Sequence, residues 1–399
     1  MQTTNSQPRT ALPTFSPLGW YLHVPFCRHA CPYCDFYKIE LRDRPARDRI
    51  EFPALLAREH ELLLEAHGDL AARPLASIYF GGGTPSTLSP PGVAGLLSAL
   101  RSRHPSGEPE ITLEANPENL TAKRCEAWRS AGITRLSIGV QSFALRDLER
   151  LERLHAPETI ATAMRNARLA GFRNISLDLM FALPGQTPRE WLANLQRALE
   201  LEPEHLSFYG LTLHEGTPFF EEHRAGRLAP ATDDAYAAMY LEGADLLSAA
   251  GFEHYEISNF ARPGFRSVHN QRYWKAEDVT GLGPGAHSSL GTRRWFNPED
   301  LGEWQAGVNA GRLPHSPAEQ LAEDVLREEE LFRRLRRCEG FTHGASEADA
   351  RFFAWLETSS GAAAAKAGWI ARDGGRAWLT PEGWLRSDAL LLQMVKSPA

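Results

Sequence analysis

The chain has 399 residues, long enough for two domains and a large core. With 43% hydrophobic and 23% charged residues, its composition is that of a soluble globular protein. A net charge of −7 and a pI near 6.1 give no general pull toward nucleic acid or acidic lipid, and no nucleic-acid partner is expected. Residues 1–17 are polar and proline-broken, read as a disordered leader without the apolar core of a signal peptide. No stretch reaches the roughly 18 apolar residues of a membrane span. Five cysteines in a chain of this size are no disulfide framework, so a reducing cytoplasm is the expected location.

From residue 18 a regular alternation begins. Strands are predicted over 19–24, 76–80, 111–115, 135–140, 174–180 and 205–211. Between them, apolar residues at three- and four-residue intervals predict helices near 45–68, 90–103, 120–130, 145–154, 158–170 and 188–201. Six strands separated by helices imply an α/β fold with a parallel sheet, either open and doubly wound or an incomplete barrel. Polar residues gather at the C-terminal ends of these strands, where such folds build their sites. They are the cysteine loop, Gly81–Thr84, Glu114 with Asn116, Gln141 with Ser142, and Asp178.

Beyond residue 215 the pattern loosens. A helix is predicted over 232–251, followed by a His-, Tyr-, Trp- and Gly-rich stretch without clear periodicity. The last 80 residues predict helices over 321–337 and 346–357 and a hairpin in WIARDGGRAWLT, a small winged-helix-like unit. Without a basic recognition helix this unit is expected to pack or to bind a partner rather than to read DNA. The expected units are therefore 18–215, 216–315 and 316–399.

Residues 23–36 read HVPFCRHACPYCDF, with thiols at Cys27, Cys31 and Cys34 and no fourth nearby. Thiolates hold iron–sulfur clusters, usually four of them; three on a four-iron cluster leave one iron open to a small molecule. A zinc knuckle completed by His23 or His29 is the rival reading. Cys125 and Cys338 stand alone in predicted helices and read as buried, inert thiols. The glycines of YFGGGTPS (79–86) let a ligand approach the backbone, and the absence of G-K-[ST] argues against a phosphate loop.

C-x₃-C-x₂-C after a first strand closely resembles the radical S-adenosylmethionine (SAM) superfamily. YLHVPFCRHACPYCDF, YFGGGTPS, LEANPENL, RLSIGVQSF, LERLHA, NISLDLMFALPGQT and HNQRYW together resemble its oxygen-independent coproporphyrinogen III oxidase family, from about residue 18 to 290. The resemblance implies a partial (β/α)6 barrel with a [4Fe-4S] cluster on Cys27, Cys31 and Cys34. It further implies that Tyr21 and Tyr33 flank cluster and SAM, and that Gly82, Gly83 and Thr84 hold the SAM amino group. Glu114, Gln141 and Asp178 would bind its ribose and methionine parts, and Arg153 its carboxylate. Read without the resemblance, Arg153 is a surface charge on a helix.

Two departures point to the haem-chaperone branch of that family. The oxidases carry a further cysteine two residues after the third, where this chain has Phe36, and a longer N-terminal extension. The branch's other mark is HNQRYW. By resemblance His269 would be an axial haem ligand, with Tyr273 and Trp274 packing on the porphyrin and His287 the second-choice ligand. Read without the resemblance, the same segment is a turn cap with core aromatics. The expected function is haem delivery to an acceptor protein, with an electron donor for the cluster. A membrane haemoprotein as acceptor would imply a peripheral membrane association. The alternative is decarboxylation of coproporphyrinogen III by a 5′-deoxyadenosyl radical.

Overall fold

The computed structural model describes residues 15–396. The expected leader lies outside the described residues as far as residue 14. Ser16 and Pro17 are tied down, their carbonyls accepting hydrogen bonds from Arg73 (2.8 Å) and Arg272 (2.6 Å).

The six expected parallel strands are all present: β1 (Leu18–Val24), β2 (Leu75–Gly82), β3 (Glu110–Ala115), β4 (Arg135–Gln141), β5 (Ile175–Phe181) and β6 (His205–Gly210). They pair in chain order, each parallel to the next. Helices α1 (Ala46–Ala66), α2 (Pro90–Ser102), α3 (Ala122–Ala131), α4 (Pro157–Leu169) and α5 (Pro188–Leu199) link them. One face of each strand is apolar and meets the helices. Trp20, Leu22, Ile78, Phe80, Leu113, Ile138, Leu177 and Phe208 are all buried. The alternate residues turn into the barrel and are mostly polar: Ser77, Tyr79, Glu114, Arg135, Ser137, Ser176, Asp178, His205 and Ser207. Strand pleating thus separates a hydrophobic outer layer from a polar interior.

The sheet is larger than the six strands expected. β7 (Glu253–Glu256) and β8 (Asn259–Ala261) extend it beyond β6, antiparallel. On the other side β9 (Val279–Leu282) pairs parallel with β1. β10 (His287–Leu290), β11 (Arg293–Phe296) and the two-residue β12 (Glu319–Gln320) follow it antiparallel. Residues 283–286, in the Gly-rich part of the stretch read as lacking periodicity, are therefore the bend between β9 and β10. HNQRYW, read without periodicity, forms a short helix, Val268–Trp274, capped by the Ser267 side chain.

The C-terminal unit contains the helices Glu323–Leu335, Glu347–Leu356 and Ser359–Lys366 and a three-stranded sheet. The expected hairpin pairs Ile370–Asp373 with Arg376–Leu379, and Phe341–Thr342 adds the third strand. Cys125 is buried in α3 as expected. Cys338 differs: it is half-buried in the turn after Leu335, its N–H bonded to the Tyr255 carbonyl at 3.1 Å, because the helix ends three residues earlier.

Candidate cluster and SAM site

The loop after β1 carries the three thiols. It is closed by a two-residue parallel pair, Phe26–Cys27 with Ile39–Glu40, and by a Glu40 side chain that accepts from the Ala30 N–H at 2.9 Å. The turn after β2 lies against it. Gly83 donates to the Val24 carbonyl at 2.9 Å, and a Cβ there would sit 2.7 Å from the Pro25 carbonyl and 3.0 Å from Cys27 Sγ. Gly82 has φ of 106°, a left-handed conformation natural to glycine, and a Cβ would collide with the His23 ring. Thr84 Oγ1 donates to Cys27 Sγ at 3.4 Å.

Arg153 approaches from the opposite wall. It is on no helix: the short helix Leu145–Arg150 ends before it, and Glu152 takes a left-handed φ of 52°. The Arg153 N–H then returns to the Leu148 carbonyl, a helix-stop turn that aims the side chain inward. The guanidinium donates to Asn116 Oδ1 (2.6 Å), the Gly139 carbonyl (3.0 Å) and Cys31 Sγ (3.5 Å), while its buried Nε has no partner among the described residues. Gly139 leaves room for it, since a Cβ there would press on the Gln141 amide and on Arg153.

These groups face one cavity of about 480 Å³, of ordinary small-ligand size. Cys27, Cys31, Cys34, Tyr33, Gly82, Gly83, Thr84, Glu114, Gln141, Arg153 and Asp178 all line it. Tyr21 does not; it stands behind the wall, its ring stacked on Tyr79 and its hydroxyl 3.2 Å from His23 Nδ1. Burial pushes the Glu114 carboxyl up to about 7, against a hydrogen bond from Tyr79 OH at 2.7 Å. Burial also raises the Asp178 carboxyl, which accepts from Ser137 and Ser176. Gln141 holds a φ of 63°, unusual for a side-chain-bearing residue and concentrated at functional sites.

The donor set fits an iron–sulfur cluster better than a zinc ion. Both rival histidines are engaged elsewhere. His23 bonds Tyr21 and the Tyr37 carbonyl, and His29 pairs with Glu152 at 2.7 Å. Among the described residues no group of three or more His, Cys, Asp or Glu converges on a single ion. The three thiols instead all line one cavity of about 480 Å³, which has room for a larger group. Burial pushes the Cys27 thiol up to about 11, so ligation has to displace its proton. Lys38 and Arg153 are the cations at hand. Phe36, two residues after the third thiol, also lines the cavity and is 63% exposed.

Several lining residues escaped the sequence reading. Tyr79, Arg135, Ser137, Ser207, Tyr209, His214 and Asn270 also face the cavity. The inward alternation of β2, β4 and β6 could have flagged the strand residues; Asn270, inside the HNQRYW segment read for haem contact, reaches this cavity from a distant helix, which its position in the sequence did not announce. The haem candidates lie elsewhere. His269 is 1% exposed, with Nδ1 2.8 Å from Ser77 Oγ and Nε2 3.1 Å from Tyr273 OH. Neither nitrogen is open to an iron, a difference from the expectation that follows from the helix placing this face against β2. Tyr273, Trp274 and His287 line a second cavity, on the side of β9 to β11.

The Radical SAM superfamily profile matches residues 21–198. The heme chaperone HemW of Escherichia coli K12 is 40% identical over 281 residues, covering 69% of this chain and 70% of that protein. HemW of Bacillus subtilis is 36% identical over 322 residues, covering 80% and 83%. Among solved structures, the coproporphyrinogen III oxidase HemN of Escherichia coli superposes with a TM-score of 0.77, covering 95% of this chain and 90% of that one. At 24% identity that likeness is one of fold.

Proposed function

The chain belongs to the HemW family of heme chaperones within the radical SAM superfamily, and on that premise we propose that it carries haem and passes it to an acceptor protein. In this reading Cys27, Cys31 and Cys34 hold a [4Fe-4S] cluster. The cluster, when bound, supplies an open iron site for SAM and one electron at low potential. The observation that carries the reading is the unsatisfied Arg153 Nε beside the three thiols and the Gly82–Gly83 turn. A buried donor without a partner costs free energy, and a SAM carboxylate would satisfy it with a two-pronged bond. The Gly82, Gly83 and Thr84 turn would take the amino group. Glu114, Gln141 and Asp178 would take the ribose and methionine parts, and Tyr33 would cover the cluster. Tyr21 would act from behind, through Tyr79. An electron donor, an acceptor haemoprotein, peripheral contact with a membrane and a cytoplasmic location belong to the same proposal. No helix among the described residues is long and apolar enough to cross a membrane.

Anaerobic reconstitution tests it. The protein should turn brown with four irons and four sulfides, and SAM should perturb the spectrum. Replacing Cys27, Cys31 or Cys34 by Ser should abolish the cluster, while Cys125→Ser and Cys338→Ser should spare it. Stoichiometric zinc with no iron uptake would overturn the reading.

A further inference from the structure

The second cavity is well separated from the first in character. It encloses about 650 Å³ between the helix Val268–Trp274, the inward face of β10 and β11, and the helix Glu323–Leu335. Its walls are broad and aromatic, with Tyr273, Trp274, Trp295, Phe296 and Phe332 contributing. Three of these side chains are notably open for large hydrophobic residues: Tyr273, Phe296 and Phe332 are 45%, 51% and 41% exposed. Such surface normally stays covered or binds something.

Within those walls stands one free imidazole. His287 opens β10, opposite Phe296 in the pairing register, and its ring lies on the Phe296 ring at 5.5 Å between centroids. It is exposed and makes no hydrogen bond among the described residues. That is the reverse of His269, whose two nitrogens are both occupied. At the far wall Arg294 and Arg333 converge on Glu329, at 3.5 and 2.7 Å. Glu277 and Glu319 complete the charged lining, so the cations are paired and the cavity is not strongly positive. A ligand carboxylate would have to compete with Glu329 for the two guanidinium groups.

A planar, mostly apolar ligand with a metal centre and peripheral carboxylates matches this combination. An open imidazole coordinates iron, aromatic walls pack on a macrocycle, and arginines meet carboxylates. We infer that this cavity is the haem-carrying site, with His287 as the iron ligand and Trp274 and Tyr273 as the packing wall. The inference rests on the haem-carrier reading above and sharpens it. His269 becomes a positioning residue, holding the Tyr273 hydroxyl from behind. The rings of Tyr79, His269 and Tyr273 stand in sequence, with centroids 4.9 and 5.2 Å apart. Tyr79, stacked on His269, lines the first cavity, and Tyr273, which meets His269 edge-on, lines the second, so this chain of three rings joins the two sites.

The test is a haemin titration of the full-length, cluster-reconstituted protein, followed by the Soret band and tryptophan quenching. Wild type should bind one haem. His287→Ala should shift the Soret band and weaken binding about tenfold or more. Added imidazole should restore the band. His269→Ala should leave the band in place. Ser289→Trp adds bulk to the lining of the same cavity while leaving His287 in place and should also lower affinity. The cluster absorbance of every variant reports that the chain is still folded. An unchanged band and affinity in His287→Ala, with wild type binding haem, overturns this assignment and leaves the carrier reading standing. No haem binding by wild type overturns both.

Discussion

At the scale of single residues, the first site is assembled from positions that admit little else. Gly83 is the sharpest case. A methyl group there meets the Pro25 carbonyl, which is backbone and cannot rotate away. Gly83→Ala should therefore displace the cysteine loop, and iron retained after desalting should fall well below wild type. Retention of a full cluster would show that the close approach is not needed. Arg153 makes a different argument. Lysine keeps the charge but loses the planar fork, so Arg153→Lys should weaken SAM binding about tenfold while keeping the cluster. Equal SAM affinity, read from the SAM-induced change in the cluster spectrum, would remove Arg153 from the SAM site. The thiols and the glycine turn could be picked out in sequence because they follow strand ends in chain order, whereas Asp178, expected at a strand end, sits in the middle of β5. The inward aim of Arg153 could not, because it depends on a left-handed Glu152 that no local pattern announces.

At the scale of elements, the six strands and their helices were legible within a few residues, since each outer strand face and each helix face repeats with its own period. The Val279–Leu282 strand and the helix before it were not. Seven residues of helix hold no full hydrophobic repeat, and their stability comes from Ser267 capping and from His269 and Arg272 docking on the sheet. Another tertiary contact ties the C-terminal unit to the sheet edge. His254 on β7 stacks on Phe260 (3.8 Å) and meets Trp384 edge-on (4.3 Å). Burial lowers its pKa from 6.5 to about 3. A depressed histidine pKa means the unfolded chain binds the proton first. Its contribution is complete above pH 6.5 and is lost as pH falls toward 3. At pH 5 the loss is about 2 kcal/mol. His254→Phe should accordingly narrow the gap between urea midpoints at pH 7.5 and pH 5, and an unaltered gap would show that His254 does not titrate in that range.

At the scale of the whole molecule, two cavities are linked by the contacting rings of Tyr79, His269 and Tyr273, and the second is built from segments added to the barrel after residue 250. That placement gives the function its physical form. On the proposed reading, one site takes SAM on the cluster and its neighbour holds haem. The barrel was legible because it is local in sequence. Of the second cavity only Tyr273, Trp274 and His287 were picked out, as haem contacts; Phe296 and Phe332 were not, because only the antiparallel extension and the C-terminal helix bring them there. Phe36, standing where the resemblance implies a further cysteine in the oxidases, belongs to the same proposal of carriage rather than decarboxylation. The most direct measurement uses one anaerobically reconstituted sample, divided between a haemin titration and a coproporphyrinogen III assay with SAM and reductant. The predicted result is one haem bound per chain and no protoporphyrinogen formed; sustained coproporphyrinogen turnover without haem binding would contradict it.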